Sequence, residues 1–166
     1  KGSTQPIYRE FGTAEDMVQG VRRAVEAIAL RYIMEKEDGE SHFLAVGMGY
    51  LDFAAREPEL FRFLYMSGKK RFDFTDPGRP MEAVIEKMRK DAHLRELGTP
   101  VLRRLLSDMM IYTFGLCMLS IMDAEVGPSS NRRSLLHDMG EKLIGYEIMK
   151  GEGKIDVNEI KRRMNK

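Results

Sequence analysis

Residues 3–17, STQPIYREFGTAEDM, have the pattern of a helix end, a tight turn and a new helix start. Thr13 followed three residues later by Asp16 is a capping-box pattern, which predicts that a helix begins at about Ala14. Its apolar residues recur at steps of three and four and predict one buried stripe, comprising Met17, Val21, Ala24, Val25, Ile28 and Tyr32. The helix is expected to end near Gly39, which can adopt the left-handed C-cap conformation.

Similar signals mark further helices along the chain. Ser41 can cap a second helix, and Pro58 suits the first position of a short third one. A fourth helix is predicted over 80–97 and is ended by Gly98, with the apolar side Met81, Val84, Ile85 and Met88.

The second half of the chain contains the longest apolar pattern. Thr99 and Pro100 are a cap and first-turn pair for a helix reaching about Glu125. Ser130 can cap the next helix, and Asp156 begins a last short one. Because no stretch alternates with a period of two, the sequence predicts an all-α protein of about seven helices.

Composition limits the classes of function. The chain of 166 residues is expected to be mainly one domain, and Cys117 as its only cysteine indicates a cytoplasmic protein with a buried, inert thiol. A formal net charge of +1 gives no global field for nucleic acid, so any DNA binding must be local. The longest apolar segment, Met109–Met122, is shorter than a membrane span, and no membrane association is predicted.

The sequence contains no recognisable catalytic or metal-binding pattern. His42, His93 and His137 lie on three predicted helices without a second ligand one turn away, so no metal site is expected. No nucleophile elbow is present. Gly47 and Gly49 lie inside a helical pattern, where close helix packing or room for a ligand explains them better than a phosphate loop. We therefore expect no enzyme and no cofactor.

The opening stretch resembles the end of the helix-turn-helix of the tetracycline-repressor (TetR) family. The resemblance rests on a small polar residue, a tyrosine, an aromatic residue, a glycine and an acidic helix start, here Ser3, Tyr8, Phe11, Gly12, Thr13, Glu15 and Met17. GYLDFAAREPELFRFLYMSG and MIYTFGLCMLSI are similar to two segments of the family's regulatory domain. Ala14 departs from the lysine usual in the family, and the first two helices of the motif are absent from this sequence.

The resemblance implies a division into residues 1–13, a remnant of the DNA-binding domain, and 14–166, a TetR-like ligand-binding and dimerisation domain. It implies a ligand-responsive transcriptional regulator, a repressor whose complete form binds operator DNA as a homodimer. The implied DNA-binding residues are Ser3, Thr4, Gln5, Tyr8 and Arg9. Gln5 suits an adenine edge and Arg9 a phosphate.

The family resemblance also implies a cavity for an apolar small-molecule effector among the helices that begin near Ser41, Pro80 and Pro100. The expected ligand-binding residues are Met48, Phe53, Phe61, Met66, Met81, Ile85, Met88, Asp108, Met109, Tyr112 and Met118. Asp108 and Tyr112 are the expected polar anchors. The loop 72–80 could cover the entrance, and a drug-sized ligand would need a cavity of at least ~300 Å³.

The last two long helices carry more apolar surface than one core of this size needs, which predicts a homodimer through a four-helix bundle. The predicted interface comprises Leu102, Leu106, Met109, Thr113, Leu116 and Ser120 on one helix and Leu136, Met139, Gly140, Leu143 and Glu147 on the other.

Two functions thus compete. The first is a ligand-responsive regulator, which predicts about 35 to 45 coding residues upstream with two helical patterns. The second is a stand-alone helical module that binds a small molecule or a partner without DNA, which predicts a start codon just before Ser3. An enzyme ranks third, because no catalytic constellation is present.

Overall fold

The computed structural model describes residues 12–67, 80–122 and 132–151 together with Asp156 and Arg162. These residues form helices and no strand, which confirms the all-α prediction. The described helices are α1 (Ala14–Glu35), α2 (His42–Arg56), α3 (Pro58–Met66), α4 (Pro80–Met88), α5 (Ala92–Arg95), α6 (Thr99–Ile121) and α7 (Arg132–Gly151).

Helix α2 lies at the centre of the fold. Helices α1, α3, α4, α6 and α7 all contact it, and nine of its 15 residues are buried. A helix that is covered on several sides needs apolar or small residues around most of its circumference. The sequence HFLAVGMGYLDFAAR meets this requirement, so α2 provides the surface on which the other helices pack.

Helix α1 begins where the sequence predicts. The Thr13 hydroxyl accepts a hydrogen bond from the Asp16 amide at 3.1 Å and donates one to the Asp16 carboxylate at 2.6 Å. Gly12 has φ +73°, in the left-handed region that favours glycine. The capping pattern and the turn therefore define the start of α1 at Ala14.

The end of α1 differs from the prediction. The helix ends at Glu35, and Gly39 is not among the glycines with a positive φ. The ammonium group of Lys87, on α4, donates hydrogen bonds to the carbonyl oxygens of Met34 at 2.9 Å and Ile33 at 3.2 Å, and to that of Lys36. A lysine distant in sequence thus satisfies carbonyls that a glycine cap would otherwise serve.

Only the C-terminal half of α1 is buried against the domain. Val25, Ala29 and Ile33 are buried, whereas Val21 and Val18, on the same stripe, are 45% and 46% exposed. The predicted stripe is therefore buried at Val25, half-buried against the core at Ile28 and Tyr32, and wrong at Val21 and Ala24, which are exposed. In the N-terminal half of α1, Arg22 still contacts the domain, because it donates a hydrogen bond to the Leu64 carbonyl oxygen of α3 at 3.1 Å.

Close packing of α1 on α2 occurs at Gly49. A Cβ atom there would lie 2.6 Å from the Ile33 Cα and 2.7 Å from the Tyr32 carbonyl oxygen. These distances are too short for any side chain, so the backbones themselves are in contact. Close helix packing, one of the two explanations inferred for this glycine, is confirmed.

The predicted helix over 80–97 is two helices, α4 and α5. The chain leaves the helical conformation at Asp91, with φ −74° and ψ 123°, and directs the buried carboxylate to the N-terminus of α2. This carboxylate accepts hydrogen bonds from the Ser41 hydroxyl at 2.7 Å and from the amides of His42 at 2.8 Å and Phe43 at 2.9 Å. Ser41 also caps α2 as predicted, accepting from the Leu44 amide at 3.2 Å.

Helices α6 and α7 complete the described fold. Gly98, and not Thr99, is the N-cap of α6. Arg104 on α6 donates hydrogen bonds to both carboxylate oxygens of Glu147 on α7, at 3.1 and 2.6 Å, which joins the two helices near opposite ends of their sequences. Helix α6 ends at Ile121 with Met122 as its C-cap, before the predicted end at Glu125. The Ser130 cap and most of the last predicted helix lie outside the described residues.

Candidate ligand-binding site

A groove with a volume of about 200 Å³ lies between the N-terminus of α2, α5, α6 and α7. Its walls are mainly apolar because core residues of α2, α6 and α7 line it. The lining of α7 includes a glycine, which has no side chain to fill the groove. These walls are formed by Phe43, Leu44, Met109, Leu136, Gly140 and Ile144. The groove is large enough for a molecule bigger than benzene, for which a cavity of about 150 Å³ suffices.

Gly140 keeps this groove open. A Cβ atom at Gly140 would lie 3.7 Å from the Phe43 ring, which is an ordinary van der Waals distance, so the backbones do not touch here. Nearer the middle of α2, Gly47 would place a Cβ 3.1 Å from the Leu136 side chain, and this contact is tighter. At both glycines the atoms nearest to an added Cβ belong to side chains, and the contact is looser at Gly140, which lines the groove.

Polar side chains line the outer part of the groove. They are Glu40, Ser41, His93, His137 and Glu141. His137 Nε2 lies 3.6 Å from a Glu141 carboxylate oxygen, and Arg133 donates to Glu40 at 2.8 Å. The rim therefore combines imidazoles and carboxylates.

Arg133 is also bound to Asp38. It donates two hydrogen bonds to this carboxylate, at 3.0 and 3.1 Å. These bonds hold the pKa of Asp38 below its usual value, and they raise that of Arg133. The arginine therefore anchors the start of α7 to the α1–α2 connection.

Two smaller cavities, each of about 10 Å³, continue from the groove into the core. The middle cavity shares the lining residues Phe43 and Met109 with the groove. It shares Tyr50, Met110 and Thr113 with the innermost cavity. Each has room for about one water molecule. Because neighbouring cavities share lining residues, the three cavities lie side by side along α2.

The innermost cavity lies beside a cluster of aromatic rings. Phe61 packs on Tyr65 with ring centroids 4.7 Å apart and on Phe114 at 5.7 Å. Burial raises the pKa of Tyr50 to about 12, and it raises that of Tyr65 as well. Their hydroxyls therefore stay protonated at neutral pH and hydrogen-bond to each other in an apolar environment.

The thiol of Cys117 lines the same cavity. It is buried, as the sequence predicts. It donates a weak hydrogen bond to the Tyr50 carbonyl oxygen at 3.7 Å, and burial raises its pKa to about 12. A thiol with so high a pKa is a poor nucleophile.

The predicted ligand-binding residues are distributed over several environments. Met109 lines the groove and Phe61 the innermost cavity. Four others are core residues, namely Phe53, Met81, Ile85 and Met88. Three are half-buried against the core, namely Met48, Tyr112 and Met118. Met66 and Asp108 are exposed, and the loop 72–79 lies outside the described residues.

Most of the predicted dimer residues pack within one chain. Leu102, Leu106, Met109, Thr113, Leu116, Leu136 and Gly140 are buried, and Ser120, Met139 and Leu143 are half-buried. Glu147 pairs with Arg104 of the same chain. Because α2 occupies the centre, the apolar stripes of α6 and α7 face α2.

Sequence reasoning missed the residues that surround the cavities most closely. They are Phe43, Leu44, Tyr50, Tyr65, Met110, Phe114, Cys117 and Ile144 for the cavity walls and Glu40, Ser41, His93, His137 and Glu141 for the rim. Gly140 was the available signal, since a glycine inside a helix predicts a close approach or space. All five predicted DNA-binding residues, Ser3, Thr4, Gln5, Tyr8 and Arg9, lie outside the described residues.

Comparisons with known proteins identify no relative: no family model, curated protein or solved structure matches the chain. In the described residues, α6 alone is long and apolar enough to cross a membrane. Core helices of helical domains meet the same criteria, and α6 contributes eight buried residues to the core. The same part of the chain contains no group of three or more potential metal ligands.

Proposed function

We propose that the chain is mainly the small-molecule-binding and dimerisation domain of a cytoplasmic, ligand-responsive transcriptional repressor similar to the TetR family. The observation that carries the proposal is the position of α1. This helix follows the TetR-like turn directly, its C-terminal half is packed on α2, and α2 lines all three cavities. A ligand that moves α2 would therefore move the helix connected to the DNA-reading segment.

Two contacts support transmission from α2 to α1. At Gly49 the two backbones touch, so α1 cannot stay in place if α2 shifts. Lys87 holds the C-terminus of α1 to α4. In the N-terminal half of α1, Arg22 donates a hydrogen bond to the Leu64 carbonyl oxygen of α3 at 3.1 Å, whereas Val18 and Val21 are exposed. The displacement of α1 would therefore be largest before Arg22. Two DNA-reading elements in a dimer must lie about one turn of DNA apart, so a small displacement lowers affinity.

The proposed homodimer uses the outer face of α6 and α7. This face carries four of the seven exposed large hydrophobic residues of the described chain, namely Ile111, Met122, Tyr146 and Met149. Gly115 lies on the same face of α6, where a Cβ would meet no atom within 4 Å. A patch of this kind favours a protein interface over solvent.

Sedimentation tests the dimer directly. We expect a dimer at micromolar concentration, and the double substitution Ile111→Glu and Tyr146→Glu should make it monomeric because it places carboxylates in the apolar face. Val18→Glu, at an equally exposed valine on α1, is the control and should leave the dimer intact. A monomeric wild type, or a double variant that remains dimeric, would contradict this interface.

The DNA-binding proposal is tested with the product of the complete reading frame and duplexes selected from a random pool. Gln5→Ala should cost about 1 to 3 kcal/mol on the preferred site and relax one base position, whereas Arg9→Ala should weaken all sites and flatten the salt dependence. Residues 1–166 alone should bind duplexes weakly and without selectivity. Tight selective binding by this chain alone, or no selected site for the complete product, would contradict the proposal.

The second candidate is a stand-alone binding module without a role on DNA. The groove favours it equally, because ligand binding needs only α2, α5, α6 and α7. A complete product that binds the ligand but selects no DNA would establish this alternative. We assign the chain no catalytic activity and no cofactor.

A further inference from the structure

The groove has an apolar interior and an acidic rim. Phe43, Met109 and Leu136 form part of the interior, which suits a ring or a short aliphatic group. Two carboxylates, those of Glu40 and Glu141, are at the rim, and among the described residues no lysine or arginine lines the groove. A ligand that fits this groove would therefore have an apolar part for the interior and a polar or charged group for the rim.

The charge at the rim is negative even when the neighbouring arginine is counted. Arg133 contacts both Asp38 and Glu40, so one cation faces two carboxylates. Within the described part of the chain, the ion pair of Glu141 is with His137, which also lies 3.6 Å from Asp138. Carboxylates thus outnumber cationic side chains around the opening, and this favours a positively charged ligand group over a negatively charged one.

The volume limits the size of the ligand. About 200 Å³ exceeds the ~150 Å³ that accepts benzene and is below the ~300 Å³ at which drug-sized ligands begin. One six-membered ring with a short side chain fits these limits. The drug-sized effector considered from the sequence does not fit this groove.

We infer that the groove binds a small aralkylamine, with its ring between Phe43 and Leu136 and its ammonium group at Glu141. The biological meaning of this site rests on the proposed regulatory function, in which the amine is the effector. Binding itself requires no DNA and can be measured separately. The His93 imidazole, which has no hydrogen bond or ion pair within the described chain, is available as a second polar contact.

Three probes of similar shape test the inference by calorimetry on the full chain at neutral pH: phenethylamine, 2-phenylethanol and 3-phenylpropanoate. The amine should bind with a millimolar or lower dissociation constant, the alcohol about threefold to fivefold more weakly, and the carboxylate most weakly. Equal affinities, a preference for the carboxylate, or no binding of the amine at about 10 mM would overturn the inference.

Two pairs of variants locate the site. Gly140→Leu fills the groove and should weaken the amine at least about tenfold, whereas Gly145→Leu, on the same helix where an added Cβ meets no atom within 4 Å, should not. Glu141→Gln should weaken the amine about threefold and leave the alcohol unchanged. Glu86→Gln is its control, since both carboxylates are about 70% exposed, at 71% and 72%. If Gly140→Leu or Glu141→Gln leaves the dissociation constant of the amine unchanged, the ligand binds elsewhere and the assignment is overturned.

The failures of the two proposals are distinguishable. If the amine binds the groove but leaves a selected operator complex unchanged, the regulatory proposal fails and the groove assignment stands. If the complete product selects an operator but the amine does not bind, the groove assignment fails and the regulatory proposal stands.

Discussion

The two sides of α2 are built differently. Toward α1 the backbones touch, and at Gly49 even one methyl group has no room. Toward α7, at the N-terminus of α2, the two helices leave a groove of about 200 Å³, and a methyl group at Gly140 would make only an ordinary contact. Gly49 therefore allows two helix backbones to touch, whereas Gly140 lines an open groove.

Glycine therefore has two different structural roles in one core: it permits close helix packing at Gly49, and at Gly140 it leaves space for a groove. On the α1 side Lys87 adds a buried link to α4, and substitutions there should be costly. On the α7 side the link is the partly exposed Arg133, and substitutions should be tolerated. The stability of variants on the two sides can therefore confirm or refute the comparison.

The largest effect is expected for Gly49→Ala. Its Cβ would overlap backbone atoms of α1, which cannot rotate away as a side chain would, and the free energy of unfolding should fall by about 3 kcal/mol. For a chain of this length the melting temperature would fall by about 6 to 12 °C. Urea unfolding followed by circular dichroism measures the change. An unchanged or raised stability would show that α1 and α2 do not touch at Gly49.

The next largest effect is expected for Lys87→Met. The substitution keeps the length of a side chain that is 2% exposed but leaves the carbonyl oxygens of Ile33 and Met34 without their donor, at a cost of about 2 kcal/mol. Lys90→Met, at an exposed lysine of the α4–α5 connection, is the control and should change stability by less than about 0.5 kcal/mol. Equal losses in both variants would argue against the role assigned to Lys87.

The local signals in the sequence predicted the starts of α1, α2 and α3, because Thr13, Ser41 and Pro58 act on residues next to them. The end of α1 and the break at Asp91 were not predicted. Both depend on partners about 50 positions away, namely Lys87 for α1 and the N-terminus of α2 for Asp91. A single sequence gives no spacing rule for such contacts.

Gly140→Ala should have a smaller effect of the opposite sign. Alanine favours a helix over glycine by up to about 1 kcal/mol, and the added methyl group meets Phe43 at 3.7 Å without overlap. We expect the free energy of unfolding to rise by about 0.5 to 1 kcal/mol. Thermal unfolding of Gly140→Ala and Gly49→Ala compares the α7 side and the α1 side of α2, because both variants carry the same glycine-to-alanine change. A loss of stability would mean that α2 and α7 are as close here as α1 and α2.

The smallest effect is expected for Arg133→Gln, and it should depend on pH. The hydrogen bonds from Arg133 lower the pKa of Asp38 in the folded state, so the stabilisation is complete above the unfolded value of about 3.9 and is lost as the pH falls through the lowered value. Wild type and variant should thus differ by a constant amount above about pH 5, and the difference should shrink as the pH falls below about 3.9. Urea unfolding over this pH range measures the difference. A difference that does not shrink between about pH 4 and pH 2 would argue against Asp38 as its source.

The candidate site was less predictable than the fold. Apolar periodicity identified Met109, Thr113 and Leu136 as important apolar or interface positions, but it does not indicate which neighbour a buried stripe faces. Only the central position of α2 decides that these residues line cavities of the same chain. The rim residues Glu40 and Glu141 are ordinary exposed acids in the sequence, and their proximity to one groove follows from the packing of α7.

The carboxylate of Asp91 also bears on the order in which the chain folds. It caps α2 from 48 to 50 positions farther along the sequence, so the first turn of the central helix cannot gain these hydrogen bonds until α4 and α5 have folded into place. Closing a loop of this length has an entropic cost that precedes the gain from the contact. The amides of His42 and Phe43 are therefore expected to become protected from hydrogen exchange late in refolding, after the middle of α2.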